Sequence, residues 1–466
     1  MVKGNHISSA EVFAIVLMAG KGTRMKSVLP KVLHKMAGHP MGWFVLRALD
    51  GAGVNNRIIV TGFGADAVEK EFAGEKFIRQ EPQLGTGDAV RIARKSIPHN
   101  FSYLLIVNGD NPLLTSHAVK IVISLMAKPG CKSVVSCDWS PDPGRLGRIV
   151  TDETGNFVAI REAKDLKPLE RDIDWVNVGL YGFDKQTLFR YLDKITPENR
   201  QKEYYLTDIP GMIVKDGGRV EVYESDDDSF LVMPNSCVDV AAAGLYLQNR
   251  FLESLMENGV SIVDPSRTCI DYGVQIARDV TIYPDSFIRG KTSIGKNSEI
   301  GPSACIEDSK IGAGVKIRLS CIEGATIEDE CSIGPFSHLR PGAHLKKCVK
   351  IGNFCEIKKS VIGQGTKINH LSYIGDATIG KNVNIGAGTI TCNFDGFRKH
   401  KTFIGDGAFI GSDSILVAPV RIGAGTLTGA GSVITRDVPS GQVVMGVPAR
   451  VVRKLETKNH KDKNKS

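Results

Sequence analysis

The sequence predicts two joined folds: an α/β domain with a Rossmann-like mixed sheet, followed by a parallel β-helix of triangular section. Three observations carry this reading. The second half keeps a six-residue beat of aliphatics, at Ile282, Ile288, Ile294, Ile300 and Ile306, again from Ile327 through Ile333, Leu339, Leu345 and Ile351 to Ile357, and again at Ile404, Ile410, Leu416 and Ile422. An α-helix would scatter such positions round its cylinder and an amphipathic strand would alternate. One flat strand and one corner per hexapeptide, with about three hexapeptides per coil, fits the period. In the first half, short apolar runs alternate with helical stretches, the pattern of a mostly parallel sheet covered on both faces. At 466 residues the chain also exceeds one ordinary core.

Taken in order, the apolar runs are Val12–Met18, Arg57–Val60, Tyr103–Val107, Ser133–Ser136 and Val176–Tyr181, with helices expected at Gly42–Gly51 and Asp88–Lys95. Asn235 stands where an N-cap belongs, before a helical run Cys237–Asn258 that leads into the prism near Val260. The glycines after the aliphatics, as at Gly295, Gly334, Gly386 and Gly423, are expected to give the corners permissive backbone angles. The expected division is an N-terminal extension 1–11, the α/β domain 12–235, a linker helix 236–260, the prism 261–452 and a basic disordered tail 453–466.

Composition narrows the function classes. No apolar run reaches the roughly 18 residues of a membrane span, and the start lacks a signal peptide's apolar core. Ten scattered cysteines without a CxxC pair read as reduced thiols of a cytoplasmic protein, with neither a disulfide frame nor a zinc site. The net charge of +8 suits anionic substrates, and no zinc-finger, RNP-like or basic-helix motif points to nucleic acid.

Two loops fall where ligands bind in α/β sheets, beyond the carboxyl ends of strands. After Val12–Met18 come Gly20, Gly22, Thr23, Arg24, Lys26 and Lys31, glycines and cations suited to phosphates or to a tight solvated turn. The spacing is neither Walker A nor the dinucleotide fingerprint. Asn108-Gly-Asp110 ends another strand in a carboxylate, which serves an Asx turn or a nucleotide-bound Mg²⁺ needing only one or two protein oxygens. Leu84-Gly-Thr-Gly87 offers backbone donors and a hydroxyl, or another turn.

Together, Leu17–Met25, Leu29-Pro-Lys-Val-Leu-His34, Leu84–Gly87 and Glu203-Tyr-Tyr-Leu-Thr-Asp208 resemble the signature of sugar-phosphate nucleotidyltransferases. Ile333–Gly342, Gly352–Lys358, His370–Asp376 and Val383–Asn393 extend the likeness. The chain resembles the bifunctional N-acetylglucosamine-1-phosphate uridyltransferase / glucosamine-1-phosphate N-acetyltransferase family from about Phe13 to Val438. The resemblance implies a left-handed prism that acetylates glucosamine 1-phosphate from acetyl-CoA. It also implies an α/β domain that joins the product to UTP, releasing pyrophosphate. UDP-N-acetylglucosamine for bacterial peptidoglycan and lipopolysaccharide would be the result, and the enzyme would be a homotrimer with acetyltransferase sites shared between subunits.

The residue roles it implies are these. Leu17, Ala19 and Gly20 line the uridine nucleotide, with Arg24 and Lys31 at its phosphates, while Gln80, Gly85 and Thr86 read the uracil. Asp110 and Asn235 hold Mg²⁺. Gly147, Glu162 and Asn177 bind the N-acetylglucosamine part. In the prism His370 is the general base, and Arg340, Lys358, Tyr373 and Asn384 bind the sugar phosphate. Ala387, Asn393, Phe394, Ser412 and Ala430 lie on the acetyl-CoA side, and Lys401 is a further cation for phosphate. A loop over Thr391–Thr402 could cover a neighbour's site. The chain departs from the family pattern at Met18, Asn108, Leu146, Met233-Pro234, Phe394 and Met445–Arg450. A single-activity nucleotidyltransferase with a purely oligomerising prism, and a non-enzymatic scaffold, are the rival readings.

Overall fold

The computed structural model describes residues 7–225 and 233–455. It divides into two units at Leu247/Gln248, inside the helix Cys237–Glu257.

In the first unit the strands lie in the order Arg219–Glu224, Cys131–Trp139, Trp175–Asp184, Tyr103–Asn108, Val12–Met18, Arg57–Thr61, Phe77–Arg79. Val12–Met18 pairs in parallel with both neighbours, and Trp175–Asp184 runs antiparallel between its own, so the sheet is mixed. Alternation along the central strand explains why it is apolar throughout. Val12, Ala14 and Val16 enter one core layer with the helices Met41–Gly51 and Ser116–Met126. Phe13 and Ile15 enter the other, with Thr86–Ala93, Lys185–Leu192 and Asp208–Lys215.

The extension expected at 1–11 is part of this core from Ile7 onward. Ile7 is buried among the first layer's residues, and Ser8 and Glu11 form a capping box on the short helix Ser9–Glu11. The cap of the long helix also differs from expectation. Ser236 Oγ accepts from Asp239 N, and the Asp239 carboxylate accepts from Ser236 N and Asn235 N at 2.8 Å each. Ser236 is therefore the cap, and the Asn235 side chain is free to point elsewhere.

The second unit is a three-sided prism. Its strands form three parallel ladders in which every third strand is a neighbour, so successive strands turn from face to face. Ile282, Ile300, Ile317, Ile333, Ile351, Ile368 and Ile385 stack along one wall. Ile288, Ile306, Ile322, Leu339, Ile357 and Ile374 stack along the second, and Ile294, Ile311, Ile327, Leu345, Ile362 and Ile379 along the third. All lie in one core, each burying side chain worth about 1.5–3 kcal/mol. The beat breaks into separate trains because some corners use one residue fewer, as between Ile306 and Ile311 and between Ile357 and Ile362.

The corner glycines act differently from expectation. Gly334 has φ +102°, but Gly295, Gly386 and Gly423 are absent from the positive-φ residues. A Cβ at those three would sit 2.6, 2.5 and 2.3 Å from backbone of the next coil, so they are glycine because successive coils touch there. The left-handed residue comes further along the corner and is often not glycine, as at Asp285, Asn297, Phe336, Phe354 and Leu371.

The end of the prism folds back as an antiparallel hairpin, Gln442–Gly446 with Ala449–Lys454. The strand thus runs past the expected boundary at 452, and residues 456–466 of the expected tail lie outside those described.

Candidate active sites

Two cavities of the first unit share a floor. The smaller, about 470 Å³, is lined by Leu17, Ala19, Gly20, Gln80, Gly85 and Thr86. The larger, about 630 Å³, is lined by Arg24, Gly147, Glu162, Asn177, Tyr181 and Asn235. Lys31, Thr86, Asn108 and Asp110 line both. Every residue assigned to this site from sequence borders one cavity or the other.

Local structure explains each position. Val12–Met18 and Tyr103–Asn108 are adjacent parallel strands ending at the same level, so Ala19–Gly20 and Asp110 emerge side by side. Gly85 enters Thr86–Ala93 at φ +109°, and a Cβ there would meet Tyr204 O at 2.6 Å. The buried Gln80 donates through Nε2 to Gly85 O at 3.0 Å and to Asp88 Oδ2 at 2.9 Å, which locks its amide. A register shift between Asn177 and Tyr181 lets both side chains face the larger cavity, Asn177 Nδ2 donating to Tyr181 Oη at 2.6 Å. Burial raises the Glu162 carboxyl against the opposing hydrogen bond from Thr207 Oγ1, with nearby Asp208 and Asp165 adding to the rise. Arg148 is buried and donates to Pro143 O, Gly144 O and Leu146 O, so the 143–146 wall is held by a guanidinium.

On the shared floor, Lys31 Nζ donates to Asp110 Oδ2 at 2.5 Å and to Asn235 Oδ1 at 3.0 Å. An ammonium thus already lies between a carboxylate and an amide oxygen that come from distant parts of the chain. These are hard oxygen donors of the kind Mg²⁺ takes, and both already face one positive charge.

Most of the prism's candidate residues lie on its surface; Asn393 is buried. On the second wall, Arg340 and Lys358 occupy one outward column, and His338, Glu356 and Tyr373 the next. Arg340 Nη1 donates to Glu356 Oε1 at 2.9 Å. The crowded cations Arg340 and Lys399 hold the Lys358 ammonium below the usual lysine range. His370 ends a strand of the first wall and is exposed. Its Nδ1 lies 2.9 Å from Asn353 Oδ1, its register partner one coil back. With the amide oxygen of Asn353 facing the ring, Nδ1 is the donor of this bond and Nε2 faces away from it.

Asn384 is on the first wall between Lys367 and Phe409, across a corner from Arg340 and Lys358. Ala387, Ser412 and Ala430 stack at that corner on successive coils, joined by Asp413 N to Ala387 O and Gly431 N to Ser412 O. The expected loop is shorter than 391–402. Thr391 and Thr402 are buried inside the prism while Ile390 turns outward, so the beat continues through a threonine. The excursion proper is closed by a bridge between Phe394 and Lys399. Asn393 is buried and donates to Asp376 Oδ2 at 2.6 Å and Tyr373 Oη at 3.4 Å, while Phe394 is 59% exposed.

Sequence reasoning passed over Tyr181, Thr207, Asn353 and Lys399. Thr207 and Asn353 stood inside blocks that had already been singled out, Glu203–Asp208 and Gly352–Lys358. Tyr181 needed the bulge, and Lys399 needed the fold of the excursion, which no spacing reveals.

The two folds and their residues define a sugar-phosphate nucleotidyltransferase joined to a hexapeptide acyltransferase. Family models match both parts, the MobA-like NTP transferase domain over residues 14–168 and the bacterial transferase hexapeptide (six repeats) over residues 401–436. The chain is 46% identical to the bifunctional protein GlmU of Heliobacterium modesticaldum, over 93% of this chain and 94% of that one. It is 47% identical to that of Thermotoga petrophila over 94% and 97% of the two chains. With that of Geobacillus thermodenitrificans it shares 41% over 97% and 99%. The chain belongs to the GlmU family of bifunctional proteins.

Proposed function

We propose that the chain makes UDP-N-acetylglucosamine in two steps, each on its own unit. The prism transfers acetyl from acetyl-CoA to glucosamine 1-phosphate; the α/β unit then transfers uridylyl from UTP to the product and releases pyrophosphate. The observation that carries the second step is the meeting of Lys31, Asp110 and Asn235 on the floor shared by two cavities. A nucleotide in the smaller cavity and a sugar phosphate in the larger would meet at that floor. The sugar-phosphate oxygen attacks the α-phosphorus in line and the pyrophosphate leaves on the opposite side, so no protein nucleophile is required. Arg24 and Lys31 neutralise the phosphates and hold them in register. Asp110 and Asn235 would hold Mg²⁺, which supplies further charge neutralisation for the triphosphate. With Mg²⁺ held there, the Lys31 ammonium would be free to pair with the phosphates.

For acetyl transfer, His370 Nε2 takes a proton from the substrate amine. The amine nitrogen attacks the thioester carbonyl, the C–S bond breaks, and the CoA thiolate leaves and is protonated. Asn353 keeps the imidazole in the tautomer this needs. Arg340, Lys358 and Lys399 form an anion patch for the sugar phosphate.

The surface position of His370, and the corner that parts Asn384 from Lys358, support a site completed by a neighbouring copy in a homotrimer. Exposed Phe336, Phe354 and Leu371 stand at one corner on consecutive coils, the first two stacked at 5.4 Å, and suit burial against that copy. Among the described residues no helix is long and apolar enough to cross a membrane, and a cytoplasmic location fits substrates of this kind.

A prism that only oligomerises would have no use for an imidazole held by Asn353 or for the cluster of Arg340, Lys358 and Lys399. The test is a pair of assays on one purified preparation: CoA thiol release with glucosamine 1-phosphate, and Mg²⁺-dependent pyrophosphate release with N-acetylglucosamine 1-phosphate and UTP. Both activities are expected. Absence of thiol release would leave only the nucleotidyltransferase.

A further inference from the structure

The second wall of the prism repeats a tripeptide on consecutive coils. Cys305-Ile306-Glu307 lies directly beneath Cys321-Ile322-Glu323, with Cys on Cys, Ile on Ile and Glu on Glu. The isoleucines point inward and the other four side chains outward. One coil further, His338 stands over Cys321. The donors of Cys321, Glu323 and His338 all lie within 4.8 Å of one another. Cys321 Sγ is 3.8 Å from Glu323 Oε1, and Glu323 Oε2 is 3.1 Å from His338 Nε2. Donor atoms round a tetrahedral zinc ion are roughly 3.3–3.8 Å apart, given bond lengths near 2.0–2.3 Å. The cluster is therefore within a small side-chain adjustment of coordinating geometry.

Spacing along the chain hid the group. The cysteines are not paired as CxxC, and the donors meet only because one coil of the prism brings residues about 16 apart into contact.

We propose that Cys321, Glu323 and His338 bind a divalent transition metal of the zinc class, with water completing the coordination. A thiolate, an imidazole and a carboxylate select zinc-like ions over Mg²⁺ or Ca²⁺. The metal ties two consecutive coils together, and its binding displaces the Cys321 thiol proton to solvent. The site is separate from the oxygen-only floor at Asp110.

The test uses the full chain, reduced, stripped with chelator and titrated with Co²⁺. The expected result is one equivalent bound with a thiolate-to-cobalt charge-transfer band and strong visible absorption of tetrahedral type, bleached by Zn²⁺. The oxygen ligands at Asp110 cannot produce a thiolate band. Cys321→Ser should abolish the band and His338→Ala weaken it, whereas Cys348→Ser, at an exposed cysteine outside the cluster, should leave it intact. Should the variants not fold, Zn²⁺ must still protect Cys321 of the unaltered chain from alkylation, read by peptide mass. No band in the unaltered chain, a band at full strength in Cys321→Ser or His338→Ala, or an unprotected Cys321 would overturn the proposal.

Discussion

The two candidate sites are built on opposite plans. On the α/β floor, Lys31, Asp110 and Asn235 are 79 and 204 residues apart for the two bonds Lys31 makes, and the lysine is buried. On the prism, Asn353 and His370 are 17 residues apart, Arg340 and Glu356 16, and all four lie at the surface or half-buried. The first site borrows its precision from a whole packed domain; the second borrows it from one turn of a coil. The consequence is a difference in coupling. Removing a member of the buried floor leaves an ionised partner uncompensated, whereas removing a member of the exposed ladder leaves it to water.

The largest expected effect is therefore on the floor. Asp110→Ala removes the carboxylate that faces both the Lys31 ammonium and the proposed metal. Pyrophosphate release should fall by about 10³-fold or more, roughly 4 kcal/mol of barrier, while acetyl transfer is unchanged. Turnover within a few-fold of normal at saturating Mg²⁺ would take Asp110 out of the site. Next is His370→Ala, expected to lower acetyl transfer by about 10²–10⁴-fold and leave uridylyl transfer alone. Loss of both activities together would mean that the sites are not independent and would break the comparison.

A smaller effect separates base from positioner. Asn353→Ala frees the imidazole to take either tautomer, and acetyl transfer should drop by about 10-fold. Its pH–rate profile should change with it, because the hydrogen bond that fixes the tautomer is gone. Asn353→Ser, which keeps an acceptor oxygen, should recover part of the loss. An unchanged profile with a lowered thermal midpoint would mark Asn353 as merely structural.

The same contrast decides what could be read from the chain. The prism's walls were legible because periodicity is local, and only the slips to shorter corners and the outward turn of Ile390 escaped. Ile390 escaped because an aliphatic was expected inside, whereas Thr391 can enter by accepting Gly375 N and donating to Gly375 O or Tyr373 O. On the floor, the residues were found through family likeness, but their mutual contacts were not, since no spacing brings 31, 110 and 235 together. The cap shows the limit at small scale. Asn235 and Ser236 are both good caps by type, and only the Asp239 carboxylate, accepting from both backbone amides, decides which serves.

The smallest effect tests the electrostatics of the ladder. Lys358 is held below the usual lysine value chiefly by Arg340 and then Lys399, so it loses its proton earlier than an ordinary lysine as pH rises. Its charge is disfavoured in the folded chain. That penalty is fully present at low pH and disappears once the pH passes the unfolded lysine value. A bound phosphate reverses the sign, since its negative charge favours the protonated ammonium. Inhibition of acetyl transfer by inorganic phosphate should therefore weaken as pH rises, at lower pH than an ordinary lysine would cause. Lys358→Arg, charged throughout, should flatten the dependence while keeping phosphate binding at the lower pH. If Lys358→Arg weakens with the same slope, the titrating group is another one, and the patch does not depend on Lys358.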